Sequence, residues 1–325
     1  MSTGEVGFGV IGLGMGASRC EMVARTPGAR LVAVADIDAR KAQEIADRHG
    51  VDWYTDYRKM LERKDIDVVY VMTPSGLHGQ MAVDAAQAGK HVVVTKPMEV
   101  TLEKADRMIQ VCRDCGVKLA VDFEQRYSRH NLKIKVAIDE GRLGKLVLGE
   151  ARMKWHRTQQ YYEGWHGTWE MDGGGSLINQ TIHWIDLLLW FMGPVESVFG
   201  RTGVFTHRIE TEDLGAAILT FENGAMGTIL GTTTWYRDDP PVVEVHGEKG
   251  YVGIRGWELA LWKFDEEFEV SLPERWPSNV VEDMVGALRD GREPLVDGPE
   301  GRKSLEVVKA IYESSRTGEV VKLPL

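Results

Sequence analysis

The stretch from Asp172 to Gly193 has the residue types and spacing of a helix that could perform acid–base chemistry. Three glycines follow Asp172, and glycine lets a backbone bend sharply and approach a ligand closely. Asn179, His183 and Asp186 come next at i, i+4 and i+7, so one face of a helix carries all three. A histidine, whose unperturbed pKa is near 6.5, is a suitable base at neutral pH. The alternatives are a buried helix with a merely hydrogen-bonded histidine, or a metal held by His183 and Asp186.

An apolar stripe beside these polar groups would hold the same helix against a core. Its members recur every three or four residues, the repeat of an amphipathic helix, and they are Ile178, Ile182, Ile185 and Leu189. No helix breaker precedes Gly193-Pro194, so the helix is predicted to continue without interruption to that point.

A glycine-rich turn near the N-terminus has the spacing of a dinucleotide-binding loop. The predicted strand Val6–Ile11 leads directly into Gly12-Leu13-Gly14-Met15-Gly16-Ala17, and a helix and a second strand follow. Gly12 permits the tight turn, Gly14 lets the backbone reach a pyrophosphate, and Ala17 lets the helix pack closely on the strand. The phosphates would lie at the helix N-terminus, where free amides favour anions.

The acidic residue that ends the second strand indicates which cofactor this loop binds. Asp36 lies about 20 residues after the turn, where a carboxylate accepts the adenine ribose hydroxyls. A carboxylate also repels a 2′-phosphate, so the sequence favours NAD over NADP. Arg40 and Lys41 begin the next helix and could reach a phosphate, which leaves NADP possible.

Strands and helices alternate through the rest of the first half. This pattern predicts a doubly wound parallel sheet, whose ligands bind beyond the carboxyl ends of the strands. Two strand ends carry polar groups, Thr73-Pro74-Ser75 with His78 and Thr95-Lys96-Pro97. The proline after Lys96 restricts the lysine backbone, which favours a positioned side chain over a solvated one.

From about residue 124 the pattern changes to successive strand-like runs. They cover 145–157, 195–205, 214–221, 226–235, 242–245, 251–254 and 259–264. These runs, with hairpin turn signals between some of them, predict a large, mostly antiparallel sheet. The central helix would cover one face of the sheet, and the other face would be an oligomer surface. We therefore expect two domains, 1–123 for dinucleotide binding and 124–325 for substrate binding and oligomerisation.

An aromatic loop precedes the glycine turn of the central helix. Its sequence runs from Tyr161-Tyr162 through Trp165-His166 to Trp169. Loops in such positions often carry function, and Tyr and Trp rings suit the stacking faces of sugars. A hydrophobic plug is the alternative interpretation.

Composition excludes several functional classes. The 325 residues carry a formal charge of −10 and no basic run interleaved with aromatics, which argues against nucleic acid and anionic membranes as partners. The N-terminus has no positively charged leader, and no apolar run approaches the ~20 residues that span a bilayer. Three cysteines fit a reducing compartment, so a cytoplasmic protein is expected. Cys112 and Cys115 have no second pair to complete a zinc site, and no metal is predicted.

These segments together resemble one family. GLGMGA, TPSGLH, TKP and GGGSLINQTIHWID occur in the order found in the glucose–fructose oxidoreductase / inositol dehydrogenase / rhizopine-catabolism (Gfo/Idh/MocA) family. The resemblance covers essentially the whole chain. It implies a Rossmann domain that binds NAD or NADP and an α+β C-terminal domain whose open-faced sheet makes substrate and oligomer contacts.

The resemblance also implies roles for individual residues. Lys96 matches the lysine of a glutamate–lysine–proline motif, and His183 matches a histidine that faces substrate. The predicted catalytic residues are Lys96, Asn179 and His183, and Arg126 and Tyr161 join them in the predicted substrate site. The predicted cofactor-binding residues are Gly12, Gly14, Met15, Asp36, Ile37, Thr73, Ser75, His78, Lys96, Trp165 and His166.

Three positions depart from the family pattern. Thr95 replaces the usual glutamate, His166 replaces an arginine, and Asn179 replaces a common aspartate. An amide cannot relay a proton, so the acid–base work would fall on His183 and Lys96. An Asn179→Asp variant is expected to fold and to be active, with an upward shift of its pH profile.

The sequence therefore predicts an NAD-dependent dehydrogenase that oxidises a secondary hydroxyl of a sugar, glycoside or cyclic polyol, with a homodimer or homotetramer as its assembly. Two other functions remain open at this point. One is a glycoside-cleaving enzyme that retains its NAD and oxidises its substrate transiently. The other is a non-catalytic sugar-sensing regulator on the same fold.

Overall fold

The computed structural model describes residues 4–325, so Met1 to Thr3, on which the expectation of no leader partly rests, lie outside the described residues. The described chain forms two compact units. The first comprises the described residues up to Phe123 together with Pro277–Gly301, and the second comprises Glu124–Trp276 and Arg302–Leu325.

The first unit contains a six-stranded parallel sheet. Its strands are β1 (Val6–Ile11), β2 (Ala29–Ala35), β3 (Asp52–Tyr54), β4 (Val68–Val71), β5 (His91–Thr95) and β6 (Leu119–Asp122), in the order β3-β2-β1-β4-β5-β6. The connecting helices are α1 (Gly16–Arg25), α2 (Ala39–His49), α3 (Tyr57–Leu61), α4 (His78–Gln87) and α5 (Leu102–Asp114). Buried Val-rich runs fill the central strands, as a sheet covered on both faces requires. The predicted Rossmann architecture is confirmed.

The second unit contains an eight-stranded mixed sheet. After helix α6 (Arg129–Asp139) come β7 (Leu146–His156), β8 (Val195–Gly203), β9 (Leu214–Phe221), β10 (Met226–Thr232), β11 (Thr234–Gly247), β12 (Gly250–Arg255), β13 (Glu258–Phe264) and β14 (Val321–Lys322). The order is β13-β12-β11-β7-β10-β9-β8-β14, and β7 with β10 is a parallel pair in an otherwise antiparallel sheet. This arrangement confirms the predicted C-terminal fold class.

The predicted strand 226–235 is two strands in the structure. β10 ends at Thr232 and β11 begins at Thr234, and these two strands lie on opposite sides of β7. The chain must therefore leave the sheet between them. The Thr233 N–H donates to the Asp213 carbonyl at the crossing point, a long-range contact that leaves no local sequence signal.

The central helix packs on the second sheet across strand glycines. It comprises a π-helical turn, Ser176–Thr181, and then α7 (Ile182–Met192). A Cβ added to Gly149 of β7 would lie 2.7 Å from Leu188 Cδ1, and one added to Gly215 of β9 would lie 2.5 Å from Leu177 Cδ1. The glycines therefore allow the close approach, and the apolar stripe predicted for this helix is buried.

The C-terminal helices divide between the two units. α8 (Val280–Asp290) belongs with the first unit, whereas most of α9 (Gly298–Thr317) belongs with the second. The buried face of α8 includes Val280 and Met284, and Val285 lies 3.1 Å from where a Cβ of Gly28 would be. The units divide between residues 123 and 124, but residues 277–301, which fall in the expected second domain, belong with the first unit. An amphipathic pattern does not reveal which sheet a helix covers. None of the helices within residues 4–325 has both the length and the apolar character needed to cross a bilayer.

Candidate active site

The glycine loop after β1 forms a backbone cradle open to a ligand. Gly12 has a φ of +88°, and its N–H donates to the Ala35 carbonyl at 2.8 Å. A Cβ added to Gly14 would meet only open space, so a phosphate can approach the backbone there. A Cβ added to Gly16 would lie 3.1 Å from Met72 Cβ, so Gly16, rather than the predicted Ala17, makes the close helix–strand packing. This geometry fits a bound dinucleotide.

Asp36, at the carboxyl end of β2, is part of the same cradle. Its Oδ2 accepts from the Leu13 N–H at 2.7 Å, and its Oδ1 accepts from the Asp38 N–H at 2.9 Å. A carboxylate has about four acceptor sites, so these bonds leave capacity for ribose hydroxyls. Met15 and Ile37, both predicted to bind cofactor, are 68% and 94% exposed, which are unusual values for apolar side chains.

Two of the predicted cofactor residues after β4 are buried. His78 has no exposed surface, and its ring nitrogens lie 2.8 Å from the Thr73 carbonyl and 2.9 Å from the Pro97 carbonyl. Burial lowers the pKa of this histidine. A side chain without exposed surface cannot touch a ligand, so His78 connects the loops after β4 and β5 and positions Thr73. Ser75 is also buried.

Lys96 follows β5 directly and is half-buried. The preceding Thr95, which takes the place of the family's glutamate, is buried at the strand end. A carboxylate missed by the sequence interpretation lies three residues after the lysine. Glu99 is fully buried and accepts from the N–H groups of Gly79 and Val100, both at 2.7 Å. It therefore holds the start of α4 against the loop that carries Lys96.

In the second unit, a buried carboxylate organises the predicted substrate residues. Asp172 is 1% exposed, and its Oδ1 accepts from Asn179 Nδ2 at 2.5 Å. Its Oδ2 accepts from the Gly167 N–H at 2.9 Å and lies 3.6 Å from His166 Nδ1. The structure thus brings His166 and Asn179 together around Asp172. From the sequence, Asp172 was only the start of the glycine turn, and its role as a shared acceptor was not predicted.

The aromatic loop stacks on this cluster. The Tyr161 and His166 rings are parallel to within 16°, with centroids 4.3 Å apart, and the Trp165 ring centroid lies 3.8 Å from that of His166. Tyr161 Oη accepts from Gln180 Nε2 at 2.9 Å, and burial raises the pKa of Tyr161. Half-buried rings with fixed hydroxyl and imidazole groups can bind a sugar by stacking and hydrogen bonding.

The polar face predicted for the central helix separates in the structure. His183 is half-buried, but Asp186 is buried and forms a bidentate ion pair with Arg126, with N–O distances of 2.7 and 2.9 Å. The Arg126 guanidinium also lies 4.8 Å from the Trp190 ring centroid. The structure therefore places Arg126, predicted to bind substrate, in a buried ion pair that fixes α7.

A third carboxylate that the sequence did not point to holds the glycine turn. Glu212 accepts from the N–H groups of Gly175 and Leu177 at 2.9 and 2.8 Å and from Tyr312 Oη at 3.0 Å. A Cβ added to Gly174 would lie 2.1 Å from Tyr312 Oη, and one added to Gly175 would lie 1.7 Å from the Glu212 carbonyl oxygen. These two glycines, expected to admit a ligand, thus make room for Tyr312 and Glu212. The hydrogen bonds to Glu212 lie at the start of the π-helical turn. An uninterrupted α-helix was predicted for this region.

Among the described residues, neither candidate metal position gains further ligands. Within residues 4–325 no group of three or more His, Cys, Asp or Glu side chains converges as a metal site would require. Asp186, one of the two ligands considered, is paired with Arg126 instead. Cys112 is buried and Cys115 exposed, and both are free thiols.

Two family models match the chain along most of its length. Residues 6–123 match the oxidoreductase family with an NAD-binding Rossmann fold, and residues 131–253 match the GFO/IDH/MocA C-terminal domain. The uncharacterised oxidoreductase YrbE of Bacillus subtilis is 31% identical over 76% of this chain and 73% of its own length. An inositol 2-dehydrogenase of Rubrobacter xylanophilus is 28% identical over 98% of this chain and 93% of its own length.

A solved structure is similar to the whole chain. The WlbA dehydrogenase from Bordetella pertussis, in complex with NADH and UDP-GlcNAcA, is 35% identical and superposes with a TM-score of 0.92 over 99% of both chains. These relatives favour a dehydrogenase over the glycoside-cleaving and sugar-sensing alternatives. One unit of this chain contains the open glycine cradle, and the other contains the polar cluster around Asp172. Together with these features, the matches establish that this chain is an NAD-binding oxidoreductase of the GFO/IDH/MocA family.

Proposed function

We propose that this enzyme transfers a hydride between NAD and a secondary hydroxyl of a sugar, a sugar derivative or a cyclic polyol. One observation carries the proposal. A single buried carboxylate, Asp172, holds Asn179 and His166 together beneath the stacked ring of Tyr161. Hydrogen-bonding groups beneath an aromatic face are what recognition of a hydroxyl-rich ring requires.

The roles follow from the chemistry of the side chains. His183 takes the proton of the reacting hydroxyl. Lys96 is the donor that stabilises negative charge as it develops on the substrate. Asn179 binds the substrate, with its own orientation fixed by Asp172. NAD, when bound, supplies the hydride acceptor. Asp36, Gly12 and Gly14 hold it, through the ribose hydroxyls and the pyrophosphate.

Relatives support a sugar-like substrate of some kind. The Rubrobacter relative is named an inositol 2-dehydrogenase, and the Bordetella structure contains a nucleotide-linked sugar acid with NADH. Both ligands present ring hydroxyls. We therefore place the substrate of this enzyme among ring-shaped polyols, with or without an attached nucleotide.

A panel of hydroxyl compounds tests the reaction. The purified chain is incubated with cyclic polyols, sugars, glycosides and nucleotide-linked sugars, each with NAD and with NADP, and reduced nicotinamide is followed by absorbance. Release of free sugar from the glycosides is measured in parallel. Stoichiometric NADH from at least one ring polyol is expected. Sugar release without net NADH, or no reaction across the panel, would overturn the proposal.

Two variants test the assigned roles. Lys96→Ala and His183→Ala should each lower kcat by about a hundredfold or more, the scale of losing an oxyanion donor or a positioned base. NADH affinity, measured by fluorescence titration, should stay within about twofold for His183→Ala. Lys303→Ala, a change of a lysine outside the proposed site, is the matched control. Near wild-type turnover of either active-site variant would show that its role is wrongly assigned.

We further propose that the enzyme assembles as a homodimer or homotetramer through the uncovered face of its second sheet. Exposed apolar side chains support this, because Phe199 and Ile218 are neighbours on β8 and β9, and Met226 and Leu148 are neighbours on β10 and β7. A cytoplasmic location is proposed from the three free, unpaired thiols.

A further inference from the structure

Gln180, on the π-helical turn, has a buried amide that none of the assigned roles uses. The residue is 5% exposed, and its Nε2 donates to Tyr161 Oη at 2.9 Å and to Asn179 Oδ1 at 3.3 Å. Its Oε1 is buried and has no hydrogen-bond partner among the described residues. A buried polar atom without a partner costs free energy, so some other contact must hold the amide in this orientation.

The buried carboxylate of Asp172 determines the orientation of Asn179. A carboxylate accepts hydrogen bonds and has none to donate. Asp172 Oδ1 lies 2.5 Å from Asn179 Nδ2, so the NH₂ group of the asparagine, and not its oxygen, must face the carboxylate. Asn179 Oδ1 is therefore left to accept from Gln180.

Asn179 in turn determines the orientation of Gln180. The NH₂ group of Gln180 forms a hydrogen bond with Asn179 Oδ1, whereas two amide oxygens at this position would repel each other. Reversal of the Gln180 amide would give its oxygen a partner in the Tyr161 hydroxyl, but it would also leave the buried NH₂ group without an acceptor. The NH₂ group therefore faces Tyr161, whose oxygen accepts.

Tyr161 consequently keeps a hydroxyl proton that the protein does not use. Within residues 4–325, Gln180 Nε2 is the only hydrogen-bond partner of Tyr161 Oη. The half-buried ring of Tyr161 stacks on His166, which lies beside Asn179. Burial raises the pKa of Tyr161, although the hydrogen bond from Gln180 opposes that rise, so the hydroxyl is protonated at neutral pH.

We infer that Gln180 is a positioning residue that makes Tyr161 a hydrogen-bond donor to an oxygen atom of the substrate. This inference rests on the proposed function, because the substrate is the one bound at Asn179. It fixes the direction of the hydrogen bond, so a hydroxyl or ether oxygen of the ring can accept at this position. A compound with only an N–H or C–H there leaves the Tyr161 donor unpaired and is rejected.

The ionisation of Tyr161 tests the direction of this hydrogen bond without any substrate. Tyr161 is replaced by a difluorinated tyrosine, whose more acidic phenol ionises in an accessible pH range, and its ionisation is followed by fluorine NMR. Gln180→Met should raise the pKa of the phenol, because a donated hydrogen bond favours the phenolate. If Gln180 instead accepted from Tyr161, the same variant would lower this pKa. The charges of Asp172 and Arg157, which also act on Tyr161, are the same in both proteins.

Equilibrium binding tests whether Gln180 acts through the Tyr161 hydroxyl. The NADH-saturated chain is titrated by calorimetry with the ring compounds of the hydroxyl panel, beginning with myo-inositol. Gln180→Met and Tyr161→Phe should each weaken binding by about tenfold, the scale of one lost hydrogen bond. The double variant should bind no more weakly than Tyr161→Phe alone, since Gln180 has no hydroxyl to orient there. Gln110→Met, at an exposed glutamine on α5, is the matched control.

A fall or no change in the pKa of the phenol in Gln180→Met would overturn the inference, whether or not the chain turns over a substrate. Equal losses of binding from Gln180→Met with and without the Tyr161 hydroxyl, or a wild type that binds none of the ring compounds, would also overturn it. If the phenol and the binding respond as expected but no compound yields NADH, the inference stands and the proposed dehydrogenase function fails.

Discussion

At the scale of residues, the structure changes the interpretation of Asn179. The family resemblance implies an aspartate at the position of Asn179, and an Asn179→Asp variant was expected to remain active. In the structure the buried carboxylate is present nearby, as Asp172, and Asn179 donates to it at 2.5 Å. The sequence did not show this hydrogen bond, because seven residues and a glycine turn separate Asp172 from Asn179. The one available signal was that an asparagine near a candidate base needs a hydrogen-bond acceptor.

Two variants of Asn179 test this arrangement. Asn179→Ala removes hydrogen bonds worth about 0.5–1.5 kcal/mol each and leaves buried Asp172 without that donor, so KM should rise up to tens-fold. Asn179→Asp would place a second carboxylate against Asp172, and two such groups cannot both ionise at this distance. Contrary to the expectation from sequence, its activity should fall more than that of Asn179→Ala and recover at lower pH.

Rate–pH curves of the two variants on one substrate provide the measurement. The control is Lys303→Ala, which changes an exposed lysine outside the proposed site. An Asn179→Asp enzyme as active as wild type at pH 8 would show that Asp172 does not constrain this position.

We predict that Asp36 determines which cofactor the glycine cradle accepts. Its carboxylate already holds the Leu13 N–H at 2.7 Å, so removal affects the loop as well as the ribose site. Asp36→Ala should therefore weaken NAD binding by about tenfold and narrow the preference for NAD over NADP. Asp36→Asn, which keeps an acceptor for the loop but removes the charge, separates the two effects. Fluorescence titration with NADH and with NADPH measures the affinity of each variant for each cofactor. Equal affinities for the two cofactors in the wild type would contradict the role assigned to Asp36.

At the scale of elements, the central helix shows what local patterns can and cannot predict. The apolar stripe and the Gly193 stop were predicted from spacing, because they depend on residues within one helix. The π-helical turn was not predicted, because Glu212, which binds its first amides, lies 35 residues beyond Leu177. The same limit applies to α8, whose pattern gave its helical character but not its partner sheet.

Glu212 should make the stability of this element depend on pH. Burial raises the pKa of Glu212 from 4.5 to about 7, although three donors oppose that effect. Between pH 4.5 and 7 the folded protein keeps the proton while the unfolded chain loses it. Stability should therefore fall as pH rises through this window, by on the order of 3 kcal/mol for the shift cited.

Urea denaturation from pH 5 to pH 8 tests this dependence. Glu212→Gln cannot ionise, so the difference in stability between this variant and the wild type should change across the window. The variant should also be less stable at pH 5, because an amide NH₂ cannot replace both acceptor oxygens. Glu267→Gln, at an exposed position, is the control. Identical pH slopes for wild type and Glu212→Gln would mean that Glu212 stays ionised in the folded protein.

At the scale of the whole molecule, the two units carry separate parts of the proposed chemistry. The alternating strands and the glycine loop were predictable because a parallel βαβ unit imposes a local order on the chain. The second unit was predictable as a sheet, but its strand order was not, since β7 pairs with β10 and β11, which follow it by about 80 residues. The missed carboxylates Glu99 and Glu212 likewise bind groups that lie 20 or more residues away along the chain.

The uncovered sheet face gives the last prediction, which concerns assembly. Ile218 lies between Phe199 on β8 and Thr228 on β10 and is 50% exposed. A second copy of the chain would bury this apolar face, so an arginine at its centre should prevent association. Ile218→Arg is expected to have about half the mass of the wild type or less, measured by light scattering after size-exclusion chromatography. Val320→Arg, at an exposed position on the segment before β14, should keep the wild-type mass. A wild type that is monomeric at micromolar concentration would contradict the proposed assembly. An Ile218→Arg variant of unchanged mass would show that the subunit contact lies elsewhere.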